Sequence, residues 1–492
     1  MAWEAGVYRT QGGGLLARCE DYRGGAAVRD PRIAPKGWSK SERDRRNMKL
    51  GYWHDDWAER WEDRVEFRPE NWPDDSDYNV HFVDVEAPAE AQVEFGDRSN
   101  EITGSLPGGT RKLWIPTGAE RLRGAVISAA AGDAFAYSCG RGLLKTFPWN
   151  TGGWNKENLA DYLPETWASP TWITQLMANA AEGLLRALGG RRAGNHVDPI
   201  SAVQHGFQRW LYAMKEDPEK IGIVNEWRIY GGVYARDAGE HDGPDGIVVE
   251  DFALQRNFDP DPAVVDALLA FASTGIRSTP ADPRSAARGG DVLVRAALAA
   301  VWSEDLSETF DLAVAIAALT HPHPDDYMAA GVLAVVLHQQ IRDHPFMDCL
   351  SAAYDELVRR PDHEKTRVMV NRAVRLVQDE RPPTEVATLR WQFPDGGVDG
   401  AEALGIALYC AMASDYLREA LLMALNYATH RNEVAATAGL LIGAEYGIQA
   451  VPRVFLDPIK SAATLDTLAH DLATELRDVL TDKEWLRRYP PT

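Results

Sequence analysis

The sequence predicts a mainly α-helical protein with a mixed or β-containing domain at its N-terminus. From about residue 118 onward, apolar residues recur at helical spacing in segments rich in Ala, Gly and Leu. Before that point Gly, Pro and Trp are frequent, and short stretches alternate between polar and apolar residues as strands do. The 492 residues are enough for two domains, which we expect at 1–117 and 118–482.

The N-terminal region holds seven of the chain's 16 tryptophans. The stretch "YWHDDWAERWEDRV" places Trp53, Trp57 and Trp61 on one stripe of a short helix, which is typical of a packing face, with a ligand platform as the alternative. The stretch "NVHFVDVEAPAEAQVEFG" alternates like strands, and "GSLPGGTRK" at 104–112 has the composition of a linker. These patterns predict a separate domain but indicate no particular fold for it.

The first helices of the larger domain follow this linker. The stretch "AERLRGAVISAAAGDAFAYS" predicts a helix of small residues that ends near Asp133. The stretch "TWITQLMANAAEGLLRALGG" predicts an amphipathic helix that Gly189 and Gly190 stop. In "PDDYMAAGVLAVVLHQQIRDHP", Pro324 occupies a favourable first helical position and acidic residues follow in the first turn.

The later part of the chain predicts close contacts between helices. "GAEALGIALYCAMA" and "EVAATAGLLIGAEYG" are built of Ala and Gly, which allow two helix backbones to approach each other in a buried bundle. The polar stretch 232–262 contains several Gly and Pro residues and predicts a long loop or an insertion. The domain should therefore be all-α.

Net charge limits the classes of partner. The formal net charge is −21, and a surface this negative repels the phosphates of nucleic acids and anionic lipids. We therefore expect no nucleic-acid and no membrane partner. A basic protein partner is an open alternative to the plain reading that the chain is an ordinary acidic protein.

Cysteine spacing and the N-terminal sequence indicate a cytoplasmic protein. Cys19, Cys139, Cys349 and Cys410 are far apart, which excludes a zinc knuckle and argues against a disulfide framework. The opening "MAWEAGVYRTQGGG" lacks the basic and apolar regions of a signal peptide. No apolar run reaches the roughly 18 residues that a membrane span requires.

A polar cluster at 429–433, "THRNE", runs directly into the tightly packing helix "EVAATAGLLIGAEYG". Polar groups at such a place indicate metal binding, ligand binding or a purely structural role. His430 and Glu433 form a plausible general acid–base pair if their side chains meet.

Five stretches, taken in order, resemble one family. They are "RLRGAVISAAAGDAFAYS", "TWITQLMANAAEGLLRAL", "GGDVLVRAALAAV", "ALTHPHPDDYMAAGVLAVVL" and "EALGIALYCAMASDYLREALLMALNYATHRNEVAATAGLLIGAEYGIQAVP". Together they resemble the ADP-ribosylglycohydrolases, including the dinitrogenase-reductase-activating type. The resemblance spans roughly residues 118–480 and implies an all-α bundle around a central cleft, and it does not extend to residues 1–117.

The chain departs from this family where the family holds metal. The resemblance implies a pair of Mg²⁺ ions whose ligands are the two Asp residues of a TDDT motif and the two Asp residues of a DSDS motif. Here the first motif reads Thr171-Trp172-Ile173-Thr174 and the second reads 430–433, "HRNE". Mg²⁺ requires oxygen ligands and prefers carboxylates, so we expect no metal and no cofactor.

Other positions also differ from the family pattern. Gly140 stands where the family has a glutamate, and Asp291 replaces a family glycine. His430, His321 and His323 leave a transition-metal site as a minor alternative, although such a site needs about three to four convergent ligands.

The resemblance and the polar cluster together give the candidate site. We expect acid–base chemistry from three residues: Asp133, His430 and Glu433. We expect ligand contacts from nine others: Thr171, Trp172, Thr174, Gln175, Arg295, His321, Asn426, Arg431 and Asn432. Structural roles are the alternatives for several of them, since Asp133 sits where it can cap a helix, Arg295 can pair with a buried acid and His321 can be a satisfied core histidine.

The expected function is that of an ADP-ribosylglycohydrolase-like protein without the two-magnesium site. It is either a metal-independent repurposed enzyme or a pseudoenzyme that binds a small molecule, such as a nucleotide or an ADP-ribose-like ligand, in the cleft. One alternative is an immunity-type or other protein-binding factor that uses the N-terminal domain. Another is an atypical ADP-ribosyl hydrolase.

Overall fold

The computed structural model describes the larger part of the predicted helical domain. The described residues are 116–140, 170–195, 197–214, 246–256, 258–379, 386–414, 417–451, 453–456, 458–476, 485 and 488–489, together with five short N-terminal strands. The strands are β1 Gly6–Arg9, β2 Leu15–Arg18, β3 Val28–Arg29, β4 Thr103–Leu106 and β5 Gly109–Lys112.

The short strands pair antiparallel in the orders β1-β2-β3 and β4-β5. The pairing of β4 with β5 covers the stretch whose composition predicted a linker, and its role as a connection between domains stays a prediction. The tryptophan stripe and the alternating stretch at 79–96 lie outside the described residues. The fold of the N-terminal region and the division into domains at 117 stay predictions.

The regular secondary structure of the remaining described residues is helical, as the sequence predicts. Their bounds are α1 Gly118–Gly140, α2 Trp172–Arg192, α3 Pro199–Ala213, α4 Ile247–Glu250, α5 Pro262–Thr274, α6 Leu293–Ala297, α7 Leu306–Ala318, α8 Pro324–Gln340, α9 Phe346–Leu357, α10 Glu364–Asp379, α11 Val386–Gln392, α12 Gly400–Met412, α13 Leu417–Tyr427, α14 Arg431–Tyr446, α15 Arg453–Leu456 and α16 Ala462–Thr474. Short 3₁₀ turns cover 252–254, 290–292, 298–301 and 448–450.

The centre of the bundle is the contact between α1 and α14. The sequence predicted close backbone approach for α12 and α14, and the structure shows that α1 is the partner that approaches α14 most extensively. A Cβ atom added at Gly439 would lie 2.2 Å from the carbonyl oxygen of Ser128, and one added at Gly132 would lie 2.2 Å from that of Ala435. Since real Cβ atoms do not approach an oxygen so closely, only glycine permits this backbone separation. The contact brings Asp133 near the start of α14.

Two predicted helix ends differ from the structure. α1 continues past Asp133 to Gly140, because the small and aromatic residues after Asp133 remain buried in the core. α2 passes through Gly189 and Gly190 to Arg192, and its residues from Trp172 to Gly190 are all buried. The helix is therefore a central element rather than an amphipathic one, and tertiary burial outweighs the helix-breaking tendency of two glycines.

The start of α8 confirms its sequence signals. Pro324 is the first helical residue, Asp325 and Asp326 occupy the first turn, and the ring of His323 accepts a hydrogen bond from the Asp325 backbone N–H at 3.3 Å. α8 packs against α7, α9, α6 and α12, and it is buried along most of its length. His321 is thereby held just before a well-defined helix start.

The polar stretch at 232–262 is not a loop throughout. Its described part, from residue 246, contains α4 and a 3₁₀ turn, and Asp261 caps α5 by accepting from the Ala263 N–H at 2.8 Å. Among the described helices, none combines the length and apolar content that a bilayer crossing demands.

Candidate functional site

Asp133 joins three helices through its buried carboxylate. Thr171 donates to it from its N–H (2.8 Å) and its hydroxyl (2.7 Å), and the Thr174 hydroxyl donates at 2.7 Å. From α14, the Asn432 side-chain amide donates to the Asp133 carboxylate at 3.0 Å and to its backbone carbonyl at 3.1 Å. Burial raises the pKa of Asp133, while these hydrogen bonds oppose that rise. We call Asp133, Thr171, Thr174 and Asn432 the Asp133 node.

Thr171 has a second task in this node, because it caps α2. Its hydroxyl accepts a hydrogen bond from the Ile173 N–H at 3.3 Å, so this backbone donor in the first turn of α2 has a partner. The side chains of Trp172 and Ile173, at the two positions where the resemblance implies aspartates, are 9% and 2% exposed and belong to the hydrophobic core. These positions therefore contribute packing, not oxygen ligands.

Gln175 lies one residue beyond the node but faces other partners. Its side-chain oxygen accepts the Trp210 indole N–H at 2.9 Å, and its side-chain amide donates to the Arg256 carbonyl at 2.9 Å. Both ends of the side chain are thus engaged within the protein. The geometry favours a structural role for Gln175, which ties α2 to α3 and to the segment after α4.

His430 and Glu433 face each other at the N-terminus of α14. His430 Nδ1 lies 3.8 Å from Glu433 Oε1, and the two side chains are 40% and 19% exposed. The Glu433 contact raises the pKa of His430; burial opposes this rise, and the charges of Asp291 and Glu402 add to it. The structure therefore brings together the acid–base pair that the sequence proposed, at a place that solvent reaches.

A glycine loop holds the His430 backbone in place. The N–H groups of Thr429 and His430 both donate to the Gly396 carbonyl, at 2.9 and 3.1 Å. Arg431 begins α14 with an exposed side chain, and Asn426 lies in the last turn of α13 and is half-buried. Of these residues, Arg431 is the one best placed to meet a ligand that approaches from solvent.

Arg295 and His321 form a buried ionic network with a residue that the candidate set omitted. Arg295 donates to the Asp291 carboxylate at 3.0 Å and to the Thr320 hydroxyl at 2.8 Å, and His321 Nε2 lies 3.1 Å from Asp291 Oδ1. Arg295 and His321 are fully buried and Asp291 is 3% exposed. We call Asp291, Arg295, Thr320 and His321 the Asp291 network.

Asp291 has a sequence signal that could have identified it. It precedes Arg295 by four residues in an otherwise apolar segment, which is the spacing of an ion pair within one helical turn. The sequence-based alternative that Arg295 pairs with a buried acid agrees with this geometry. So does the alternative of a satisfied core histidine for His321, because both of its ring nitrogens have partners.

The side chains at the positions of the implied metal ligands are poor donors for Mg²⁺. Trp172 and Ile173 offer no oxygen, and His430 offers only ring nitrogens. Asn432, whose amide N–H group donates to Asp133, has only a neutral amide oxygen. Asp133 itself already accepts several hydrogen bonds. Among the residues that the structure describes, no group of three or more His, Cys, Asp or Glu side chains has metal-binding spacing.

A groove in the described part of the chain lies away from the Asp133 node and the His430–Glu433 pair. Its lining includes Phe346, Met412, Leu441 and Tyr446, which surround the C-terminal half of α14. α14 has 16 residues and is therefore about 24 Å long at roughly 1.5 Å per residue. The groove is thus at the opposite end of the helix from His430 and Glu433, and it is not the place where the polar groups converge.

Comparisons with known proteins identify the family of this chain. Residues 116–480 match the family described as ADP-ribosylglycohydrolase. The chain is similar to ADP-ribosylarginine hydrolase Tri1 of Pseudomonas putida (strain GB-1), with 27% identity over 230 residues, which is 46% of this chain and 50% of that protein. The match thus spans about half the length of this curated relative.

A solved structure described as an ADP-ribosylglycohydrolase-related protein complex is also similar. It covers 74% of this chain and 100% of its own chain, with a TM-score of 0.47 and 20% sequence identity.

Proposed function

This chain belongs to the ADP-ribosylglycohydrolase family, and we propose that it works without the magnesium pair that the family resemblance implies. In this proposal it is a pseudoenzyme for magnesium-dependent glycohydrolysis. It binds a small molecule, nucleotide-like or ADP-ribose-like, beside His430, Arg431 and Glu433, and any chemistry there uses side chains alone.

The Asp133 node is the observation that carries this proposal. A magnesium ligand must offer a free, preferably anionic, oxygen to the ion. In the node, Asn432 instead turns its N–H group toward Asp133, and the hydroxyls of Thr171 and Thr174 are also directed at that carboxylate. The space between α1, α2 and α14 is therefore closed by protein–protein hydrogen bonds.

The burial of Trp172 and Ile173 supports the same conclusion. Bringing a doubly charged ion into contact with these side chains would cost solvation energy that the single carboxylate of Asp133, already engaged with Thr171 and Thr174, does not offset. A charge of that size needs several anionic oxygens in its coordination sphere, and the two apolar residues supply none.

The His430–Glu433 pair supports a residual role in binding or catalysis. A half-exposed imidazole beside a carboxylate can hold or accept a proton from a bound ligand. Arg431 adds a permanent positive charge at the same helix end, where the backbone N–H groups of α14 also favour negative ligands. The ligand that this chemistry fits is a polar, anionic small molecule.

Thermal unfolding of the full-length protein tests the proposal. We expect ADP-ribose or a related nucleotide to raise the Tm equally in magnesium and in EDTA, because the site uses no ion. A ligand at about 100 times its Kd stabilises a folded protein by roughly 2.7 kcal/mol, a shift that such a measurement resolves. Mg²⁺ alone should not change the Tm beyond the effect of an equal ionic strength of NaCl. Stabilisation that requires Mg²⁺ would contradict the proposal.

The variant Arg431→Ala provides the site control. It removes an exposed side chain at the start of α14, so we expect little change in the Tm of the free protein and a smaller ligand-induced shift. The matched variant Arg390→Ala removes an exposed arginine from α11 and should leave the ligand-induced shift unchanged.

The similarity to Tri1 favours a second candidate, an ADP-ribosylarginine hydrolase activity. It is tested by incubating the protein with an ADP-ribosylated arginine peptide, with Mg²⁺ and with EDTA. Release of ADP-ribose in Mg²⁺ alone would support this candidate and exclude the first. Release in both conditions would identify a metal-independent hydrolase, and no release with retained ligand binding would identify a pseudoenzyme.

A further inference from the structure

The Asp291 network places one carboxylate between two nitrogen bases beneath the candidate site. Asp291 Oδ2 accepts from Arg295 Nη1 at 3.0 Å, while Asp291 Oδ1 faces His321 Nε2 at 3.1 Å. His321 and Arg295 have no exposed surface. A buried guanidinium without a carboxylate would be strongly unfavourable, so Asp291 is the group that permits Arg295 to be there.

Hydrogen-bond donors and acceptors fix the tautomer of His321. Arg295 Nη2 lies 3.2 Å from His321 Nδ1, and a guanidinium nitrogen can only donate. His321 Nδ1 therefore carries no proton in this arrangement, and the ring proton sits on Nε2, which donates to Asp291. The carboxylate thus fixes both the orientation and the proton position of the imidazole.

The turn Gly289-Gly290-Asp291 places this carboxylate below the His430–Glu433 pair, and we call this turn the floor of the site. Gly289 has φ +149°, a conformation that favours glycine, and a Cβ atom there would lie 2.7 Å from Asp291 Oδ1. A Cβ atom at Gly290 would lie 2.5 Å from the Cβ of Ala403 and 3.2 Å from the Cβ of Glu433. The turn is therefore pressed between α12 and the first turn of α14.

This contact couples the network to the His430–Glu433 pair. Glu433 rests against the turn that carries Asp291, so the position of the turn limits where the Glu433 side chain can be. The charged groups that act on His430 are Glu433 on α14, Asp291 on the turn and Glu402 on α12, with Arg431 next to it in the chain. Asp291 is the member of this set that a buried arginine and a buried histidine hold in place.

We propose that Asp291 is a positioning residue of the site: clamped by Arg295 and His321, it fixes the floor against which Glu433 packs and adds its negative charge to the surroundings of His430. The inference rests on the proposed role of the His430–Glu433 pair. In this chain the Asp291 carboxylate balances the charge of the buried Arg295 guanidinium.

The test follows the ring signals of His430 and His321 by NMR during a pH titration of the full-length protein, without ligand or Mg²⁺. We compare the wild type with Asp291→Asn and with Glu182→Gln as the matched control. Glu182 is also a buried carboxylate in an ion pair, with Arg186 on α2, and it is not among the groups that act on His430. A general loss of stability should therefore affect both variants alike.

We expect Asp291→Asn to lower the His430 titration midpoint, because a nearby negative charge is removed, and to shift the His321 ring signals. Glu182→Gln should leave both unchanged. The conservative variant Asp291→Glu keeps the carboxylate and should retain most of the His430 midpoint. Equal His430 midpoints in the wild type and a folded Asp291→Asn variant would overturn the inference.

A measurement on the wild type keeps the test decisive if Asp291→Asn does not fold. The nitrogen signals of the His321 ring should show a protonated Nε2 and an unprotonated Nδ1. The reverse assignment would mean that Asp291 does not clamp the ring, and it would overturn the inference. Because neither readout involves Mg²⁺ or a ligand, their failure is distinguishable from a failure of the proposed function, which the thermal-shift experiment measures.

Discussion

At the residue scale, two buried carboxylates with different partners organise the candidate site. Asp133 accepts hydrogen bonds from neutral groups, and burial raises its pKa. Burial also tends to raise the pKa of Asp291, but His321 and Arg295 outweigh this effect and lower the pKa to about 2. Neutral donors orient a carboxylate, whereas a cation such as the Arg295 guanidinium also stabilises its negative charge. Asp133 therefore joins helices, and Asp291 balances the charge of the buried Arg295.

Asn432→Asp should destabilise the protein at neutral pH. The new carboxylate would lie beside that of Asp133 in a buried place, and two like charges there raise each other's pKa. Acids with a raised folded-state pKa lose stability as pH rises, so we expect a loss of more than about 2 kcal/mol at pH 7 that becomes smaller toward pH 4. Urea unfolding at several pH values measures it.

The control for this change is Asn371→Asp, which adds the same charge on the half-buried face of α10. Asn371→Asp should lower the free energy of unfolding only slightly at any of these pH values. Mg²⁺ should not restore the stability of Asn432→Asp, because Trp172 and Ile173 still offer no oxygen ligand. Rescue by Mg²⁺ would contradict the argument that these two buried side chains exclude the ion.

Asp291 should contribute stability that is lost in acid. Its folded-state pKa of about 2 is below the ordinary value of 3.8, so its contribution is present above pH 3.8 and disappears as pH falls toward about 2. The difference corresponds to roughly 2 kcal/mol. In urea unfolding, the difference in the free energy of unfolding between the wild type and Asp291→Asn should therefore become smaller below pH 4.

The control is Asp266→Asn, which removes an exposed carboxylate from α5 and leaves the buried Asp291 network intact. A difference between the wild type and Asp291→Asn that stays constant down to pH 2 would show that Asp291 contributes nothing through its charge.

At the element scale, the close contact of α1 with α14 positions the site. Glycines on both helices allow the backbones to touch, so Asp133 on one helix reaches Asn432 on the other. Hydrogen bonds of about 3 Å tolerate little displacement. Any separation of these helices should open the Asp133 node before it disturbs the rest of the bundle.

Gly439→Ala tests this dependence. Its added methyl group would lie 2.2 Å from the Ser128 carbonyl, which would force α1 and α14 apart, and we expect a loss of at least 2 kcal/mol as an order of magnitude. Gly189→Ala is the matched control on α2, because the nearest atom to its added methyl group is 3.5 Å away. Alanine favours helix over glycine, so the control should be neutral or slightly stabilising. Equal effects of the two substitutions in thermal unfolding would refute the close contact.

At the scale of the whole molecule, the net charge of −21 limits association. Anionic polymers and surfaces are repelled at low ionic strength, where screening is weakest. A small anionic ligand experiences the local charges of His430 and Arg431 more than the distant ones, so an acidic protein can still bind it.

We therefore expect no binding to double-stranded DNA or to vesicles of anionic lipid. Fluorescence anisotropy with labelled DNA and co-sedimentation with vesicles, both at low salt, measure this. A cationic protein of similar size serves as the positive control. Saturable binding at low salt would indicate a basic surface that the overall charge conceals.

Helical spacing, the Pro324 helix start and the order of five motifs were enough to predict a helical member of this family, because these features depend on neighbouring residues along the chain. The same local signals misplaced the ends of α1 and α2, since burial by distant helices extends both. The absence of carboxylates from the positions where the resemblance implies metal ligands can also be read from the sequence, and the loss of the metal site stays a proposal.

Only the tertiary structure decided what the replaced positions do. Asn432 meets Asp133 from 299 residues away, and Asp291 meets His321 from 30 residues away, so no local pattern could pair them. The roles of Gln175 and His321 likewise depend on partners that arrive from other helices. A sequence determines which chemical groups are present, whereas packing determines which of them are already satisfied and which, like His430 and Arg431, remain accessible to a ligand.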